Sequence, residues 1–534
     1  MYVERATANP FGVMAAVSPQ YEYLFFIFLL RKKQVTLSFY FMVLINMKHF
    51  LPVWAVCCLC CCNGSVRQAV TTDAYPDIFP DYREVTIPVN IAPLNFGLRD
   101  SSERMEVRFL RDGQTALTCK GRKSTGIKES AWRNMLRQAA GTALQVQVYS
   151  RRAGRWNAYR PFNIHVANDS IDPYIAYRLI EPGYEQWDRM GIYQRNLSAF
   201  DESAIIVNTL TGWNCVNCHS FHNYHPRRMM FHARAGKNSG TFLFANDTMK
   251  RINTKTEHAE SAATYPMWHP SGDYIAFSIN SPRQAFHLLP GKKIEVYDLE
   301  SDLAVWDVKN GAVIRDARFT TKDVWETFPA WSPDGKWLYY CVAEKKNMPF
   351  ESKQLMYALC RVEFDAANGR FGHQVDTVIR PATSGISVSL PRISPDGRYL
   401  LYTASAYGTM PHCRSETNLE MIDLNDGSPV DIQLINSAES DSYHSWSSNG
   451  RWIVVGSRRM DGLYTRLFFA YFDPAGQIHK PFLLPQRNPE DNTLHLKSYN
   501  VPEFVKGKVE LNPYEVTRTL NGEMVNLNEI IHEN

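Results

Sequence analysis

A thirteen-residue pattern written four times leaves this chain few folds to choose from. Tyr265-Pro-Met-Trp-His-Pro-Ser-Gly-Asp-Tyr-Ile-Ala-Phe277 returns as Phe328-Pro-Ala-Trp-Ser-Pro-Asp-Gly-Lys-Trp-Leu-Tyr-Tyr340 and as Leu390-Pro-Arg-Ile-Ser-Pro-Asp-Gly-Arg-Tyr-Leu-Leu-Tyr402. A weakened fourth copy reads Tyr443-His-Ser-Trp-Ser-Ser-Asn-Gly-Arg-Trp-Ile-Val-Val455. Each copy reads as a strand, a tight turn and a second apolar strand, with Pro fixing one φ and Gly supplying the positive one. Such a unit cannot bury both faces alone, so copies must stack around an axis, which predicts a β-propeller.

The copies are 53 to 63 residues apart and leave room for more. Weaker blades are expected at 229–253 and 464–484, which favours about six blades over residues 225–505, with seven or eight open and 506–534 as a C-terminal tail. In the fourth copy Ser448-Asn449 replaces Pro-Asp, which alters the turn chemistry and leaves the blade intact. Upstream, Val85, Ile87, Val89 and Ile91 alternate, as do Met105, Val107 and Phe109. A helix is expected over Ser130–Ala140, and a hairpin about Ala153-Gly154. Residues 84–168 therefore read as a β-sandwich-like domain serving as spacer or docking module, and the chain as mainly β.

The second constraint is chemical. Cys215-Val-Asn-Cys218-His219 has the spacing that lets two sulfurs reach the vinyl groups of one porphyrin edge while the following imidazole coordinates iron. Cys215 and Cys218 are the expected thioethers of a covalent haem c, and His219 the proximal ligand. For the sixth position the candidates are His232 or Met229, with Met230, His222 and His225 nearby and Met267, His269 and His287 more remote. A zinc site drawn from Cys215, Cys218 and two of the neighbouring histidines is the chemical alternative. Ordinary packing or surface roles are the plain alternative for each sixth-ligand candidate.

Residues 169–224 read as an irregular segment carrying this motif. Its aromatics, Tyr174, Tyr177, Tyr184, Trp187, Tyr193 and Phe200, would cover a haem face or pack between domains. Arg227-Arg228 could neutralise propionates or form a solvated loop pair. Cys341 and Cys360 could bridge neighbouring strands or remain buried thiols.

The N-terminus points to export. From Met47, a short basic start and an apolar run lead to Leu59-Cys-Cys-Cys62, so 47–62 reads as a lipoprotein-type signal with Cys62 as the acylated residue. Residues 1–46 read as an extension upstream of the true start, and 63–83 as a linker rich in turn signals. The balance of 58 Lys plus Arg against 54 Asp plus Glu, net +4, comes without a basic stripe and argues against nucleic acid. No Gly-x-Ser-x-Gly elbow accompanies the repeats, which disfavours a prolyl-oligopeptidase-type enzyme.

The repeats resemble the WD40-like (PD40) repeats of TolB-type propellers, with their Ser-Pro-Asp-Gly-Lys/Arg signature. Over residues 75–500 the chain resembles exported Bacteroidetes lipoproteins that join this propeller to one c-type haem motif. The matching stretches are Tyr75-Pro-Asp-Ile-Phe-Pro-Asp-Tyr82, Asn90-Ile-Ala-Pro-Leu-Asn-Phe96, Met190-Gly-Ile-Tyr-Gln-Arg195, Asn214-Cys-Val-Asn-Cys-His-Ser-Phe221 and the repeats. The resemblance implies a lipid-anchored, periplasm-facing monohaem cytochrome in electron transfer or redox sensing, whose propeller face docks exported redox or envelope partners. The alternative is a TolB-like envelope binding or scaffold protein with a structural metal.

Overall fold

The computed structural model describes residues 66–181, 189–234, 239–259, 261–289, 292–408 and 410–533. The signal-like stretch 47–62, with Cys62, and residues 1–46 lie outside them. Among the described residues no helix is long and apolar enough to cross a membrane.

Six sheets, each built on four antiparallel strands, form the propeller. Blade 2 runs outward through Cys215–Phe221, Met229–Arg234, Gly240–Ala245 and Thr248–Asn253, and blade 3 through Ala263–Trp268, Tyr274–Leu289, Lys292–Asp307 and Ala312–Asp316. Blade 4 follows as Val324–Trp331, Trp337–Glu344, Ala358–Asp365 and Arg370–Ile379. Blade 5 is Ser387–Ile393, Tyr399–Ser405, Asn418–Asp423 and Pro429–Val430; blade 6 is Asp441–Trp446, Trp452–Ser457, Arg466–Tyr471 and Phe482–Leu483.

Blade 1 closes the ring by joining distant parts of the chain. Tyr174–Ile180, Gly191–Asn196 and Glu202–Val207 provide its outer strands, and Ser498–Val505 pairs with Tyr174–Ile180 as the innermost. The innermost strands then neighbour one another in a closed circle, blade 6 touching blade 1 and blade 1 touching blade 2. Because Ser498–Val505, from the far end of the chain, completes the blade of Tyr174–Ile180, the ring cannot open there without breaking a sheet.

Six blades are present, yet two assignments shift. The stretch 229–253 supplies three strands of a blade, as expected, whereas 464–484 supplies the outer strands of the fourth repeat's own blade. The missing blade lies in 169–224, read from sequence as irregular. Its aromatics mislead because Tyr174, Tyr177 and Tyr193 are strand residues, with Tyr177 packed edge-on against Tyr499 of the closing strand at 4.8 Å. Phe200 lies under the guanidiniums of Arg195 and Arg487; Tyr184 and Trp187 lie outside the described residues. The tail 506–534 forms the helix Pro513–Asn521 and adds parallel edge strands Val525–Asn526 to blade 2 and Asn528–His532 to blade 3.

Three of the four repeat turns share one hydrogen-bond scheme. In Ser332-Pro-Asp-Gly the Ser332 hydroxyl donates to Asp334 at 2.6 Å and accepts from the Trp337 N–H, while Asp334 also accepts from the Lys336 N–H. Asn449 performs the aspartate's task in the divergent copy, accepting from Ser447 at 2.6 Å and from the Arg451 N–H. The Ser-Asn departure is therefore isosteric in function. In the first copy His269 takes the serine's place, and its Nε2 bonds the Gly335 carbonyl of the next blade at 3.0 Å.

The N-terminal domain wraps a seven-stranded sheet around the helix Glu129–Ala139. Trp132 meets Phe109 edge-on at 5.6 Å and donates to the Ile91 carbonyl. The core of this domain is continuous with Trp452, Phe469 and Phe482 of blade 6. Tyr82 donates to the Leu483 carbonyl. It is a rigid buttress on blades 6 and 1 more than a tethered spacer.

Gly335 tests this packing. A Cβ there would lie 2.3 Å from the His269 ring at a φ of +74°, whereas Gly311 has a similar φ of +67° and open space around it. Gly311→Ala should cost about 1–2 kcal/mol from left-handed strain. Gly335→Ala should cost about 1–3 kcal/mol more from overpacking. Parallel denaturant melts of the two variants check the difference.

Candidate functional site

The Cys-x-x-Cys-His stretch is the innermost strand of blade 2. Cys215 lies opposite Arg234, Val216 opposite Ala233 and Asn217 opposite His232; after a bulge, Ser220 faces Met230 and Phe221 faces Met229. The bulge falls on Cys218 and His219, and Cys218 takes a φ of 50°. A positive φ is costly for a residue with a side chain, so its recurrence marks a shared constraint. It recurs once per blade, at Tyr265, Phe328, Leu390, Tyr443 and Val501.

Hydrogen bonds fix the correspondence. Trp268 donates its indole N–H to the carbonyl of Ser220, Trp331 to that of Met267 and Trp446 to that of Arg392. Each acceptor sits two residues after a positive-φ residue. Cys218-His-Ser-Phe221 is therefore in register with Tyr265-Pro-Met-Trp268, Phe328-Pro-Ala-Trp331, Leu390-Pro-Arg-Ile393, Tyr443-His-Ser-Trp446 and Val501-Pro-Glu-Phe504. The motif is a fifth, disguised copy of the repeat, and the closing strand is the sixth. One signal was available in the sequence: His-Ser-aromatic follows both Cys218 and Tyr443.

In this register His219 occupies the place held by Pro266, Pro329, Pro391, His444 and Pro502. It is 2% exposed, lies 6.2 Å from the Phe221 ring, and has no hydrogen-bond partner on either ring nitrogen. The Val501 backbone approaches the ring without hydrogen-bond geometry. Burial, aided by the Arg178 charge, pushes its pKa down to about 3, so the ring is neutral.

These positions bear directly on haem attachment. Cys215 stands opposite Arg234, and the Cys218 sulfur accepts from the Arg234 guanidinium at 3.7 Å, so both thiols lie toward blade 3. His219 points the other way, into the apolar layer that Phe221, Phe231 and Val505 share with blade 1. One porphyrin needs all three on a single ring, and along this strand they diverge; the residues in this conformation do not fit the group. His232 and Met229 divide likewise. Met229 packs toward blade 1, whereas His232, 1% exposed, faces blade 3 and bonds Thr241 at 2.8 Å through Nδ1. For zinc, no three His, Cys, Asp or Glu side chains among the described residues gather closely enough to hold an ion.

The remaining candidates have structural partners. Arg227 pairs with Asp247, while Arg228 stacks 5.5 Å over Trp268 and donates to the Gly272 carbonyl. His222 and His269 occupy equivalent turn positions, and the side chain of His287 is outside the description. Cys341 and Cys360 sit on adjacent strands but face different cores, and both are free thiols.

What the sequence did not reveal is a cavity at the channel mouth. It measures about 540 Å³ and lies on the face where the second and third strands of each blade connect. Ile294–Tyr297 of the long blade 3 hairpin form one wall; Met348, Ser352 and Leu355 of blade 4, Tyr407, Cys413 and Glu416 of blade 5, and Ser440, Arg458 and Asp461 near blade 6 form the others. Deeper in, Tyr265 and Tyr443 of the bulges lie near Cys218. Burial raises Asp298 to about 6 and Glu326 to about 8, placing protonatable carboxyls on the blade 3 and 4 side.

No family model matches the chain, and no curated protein matches it. Among solved structures it is similar to a TolB from Agrobacterium tumefaciens, at 13% identity and a TM-score of 0.33, covering 63% of this chain and 99% of that one. It is also similar to the periplasmic gluconolactonase of Pseudomonas aeruginosa, at 14% identity and a TM-score of 0.31, covering 62% and 99%. A puromycin-hydrolysing peptidase of Mycobacterium tuberculosis gives 9% identity and a TM-score of 0.32, covering 65% of this chain and 51% of the peptidase. The assignment as a six-bladed propeller rests on the strand pairing itself.

If His219 and His444 stand where other blades carry proline, proline should serve there. His219→Pro and His444→Pro are expected to fold. Both imidazoles are held near 3 in the fold against 6.5 unfolded, so the unfolded chain binds the extra proton and stability falls as pH drops below 6.5. Each substitution should remove about 2 kcal/mol of the stability lost between pH 6.5 and 5. Urea melts at the two pH values measure it.

Proposed function

We propose that this protein is an exported binding propeller of the cell envelope, whose channel-mouth cavity receives a ligand. One observation carries the reading: a cavity of about 540 Å³ opens on the loop face of a closed six-bladed ring, walled by four different blades. A volume of this order suits a small molecule or the end of a peptide. The blade 3 hairpin, with strands of 16 residues each, reaches out as a side wall. The signal-like stretch 47–62 and Cys62 fit export and membrane attachment by lipid.

A thermal-shift screen over sugars, short peptides, anions and cations tests this. At least one class should stabilise the protein, and Ser415→Trp, which fills the cavity, should lose that response. No response in any class, or an equal response in both proteins, refutes the reading.

A second reading, covalent haem c on Cys215 and Cys218 with electron transfer to exported partners, is favoured by the motif's spacing. The two unpartnered ring nitrogens of His219 also favour it. It requires the innermost strand of blade 2 to form differently around a porphyrin. A pyridine haemochrome spectrum of denatured, exported protein decides. The blade-strand reading expects no covalent haem, and one haem per chain would establish the cytochrome.

A further inference from the structure

Arg178 and Arg458 meet beside the cavity, and both lack an acid. Arg178, Arg234 and Arg458 stand at the loop-face ends of the second strands of blades 1, 2 and 6, which are consecutive around the ring. Arg458 is 8% exposed, lines the cavity, and has an Nε with no partner. Its guanidinium reaches only the Cys413 sulfur, at 3.9 Å. Arg178 likewise keeps a buried, unpartnered Nε. Neither is within ion-pair distance of a carboxylate among the described residues. Arg234 is better served, donating to the Ala263 carbonyl at 3.2 Å and lying near Asp298.

His412 locates the convergence. It immediately precedes Cys413 in the cavity wall, and the charges beside it are Arg458, Arg178 and Arg414. Its ring packs 5.0 Å from Tyr443. Burial and these three cations hold it near 3, so it adds no positive charge of its own. The cavity does contain acids: Glu295, Glu416, Glu439 and Asp461. Glu416 lies 3.7 Å from Arg414, and Asp461 accepts from the N–H groups of Leu463 and Tyr464. None neutralises Arg458. A buried guanidinium without a counter-charge is costly in an isolated fold, and a bound anion removes that cost.

We infer that the cavity binds the oxyanion of a small ligand, a carboxylate or phosphate, through Arg458 with Arg178 beside it. This rests on the cavity being a binding site, and it names the ligand's charged group. The forked geometry of a guanidinium suits either oxyanion.

The test uses the full exported chain at constant ionic strength, with sodium phosphate and sodium acetate as probes and chloride as control. One oxyanion or both should raise the melting temperature and slow alkylation of Cys413 by N-ethylmaleimide, read on the Cys413 peptide by mass spectrometry. Arg458→Met and Arg178→Met should each weaken the response about tenfold or more, as expected for loss of a charged hydrogen bond. Arg458→Met should not lower the melting temperature without ligand, because it removes an unpaired buried charge. An oxyanion response equal in wild type and both variants, or none in wild type, overturns the inference. Protection of Cys413 by neutral or cationic compounds alone overturns it while leaving the cavity reading standing. Absence of protection by any compound removes both. Should Arg458→Met fail to fold, Arg178→Met and the wild-type alkylation rates still decide.

Discussion

The closed circle of six innermost strands is the constraint on which the rest of this structure depends. Each carries a bulge with one residue at positive φ, and those of blades 2, 3 and 5 hand a backbone carbonyl to a tryptophan of the next blade. A blade alone would expose two apolar faces, and each face is covered only when its neighbour is in place. Closure by Ser498–Val505 onto Tyr174–Ile180 therefore stabilises every blade at once. The N-terminal domain extends the same core across blades 6 and 1.

That circle also sets the chemistry of the Cys-x-x-Cys-His segment. A strand alternates its side chains between faces, and the bulge at Cys218 and His219 shifts the alternation without cancelling it. The thiols are sent toward Arg234 and blade 3, and the imidazole toward Phe221 and blade 1. A haem-binding pentapeptide and a blade strand make opposite demands on the same five residues, and the sheet enforces the second. The same bulge positions bring Tyr265 and Tyr443 close to Cys218.

Buried ionisable groups are distributed unevenly around the ring. Arg178, Arg234 and Arg458 stand on blades 1, 2 and 6, while Asp298 and Glu326, both raised by burial, stand on blades 3 and 4. Carboxyls raised in this way give up their charge readily, so the buried positive charge of Arg178 and Arg458 on the blade 1 and 6 side is what an anionic group meets.

The sequence by itself determined the propeller. Four copies of a turn, in three of which Ser, Asp or Asn, and Gly each have a fixed hydrogen bond or φ, could hardly build anything else, and Asn449 shows the scheme surviving substitution. It also determined the core tryptophans, Trp268 and Trp331, and the helix, placed within a residue at Glu129–Ala139. Tertiary structure alone decided which residues complete the ring, because Tyr174–Ile180 and Ser498–Val505 are separated by some three hundred residues and neither carries the turn signature. It alone decided the surroundings of Cys215, Cys218 and His219, since spacing states what a motif can reach and only pairing states which way each side chain points. Arg178 and Arg458 were invisible for the same reason: a lone arginine at a strand end reads as solvent-exposed until the ring folds it inward.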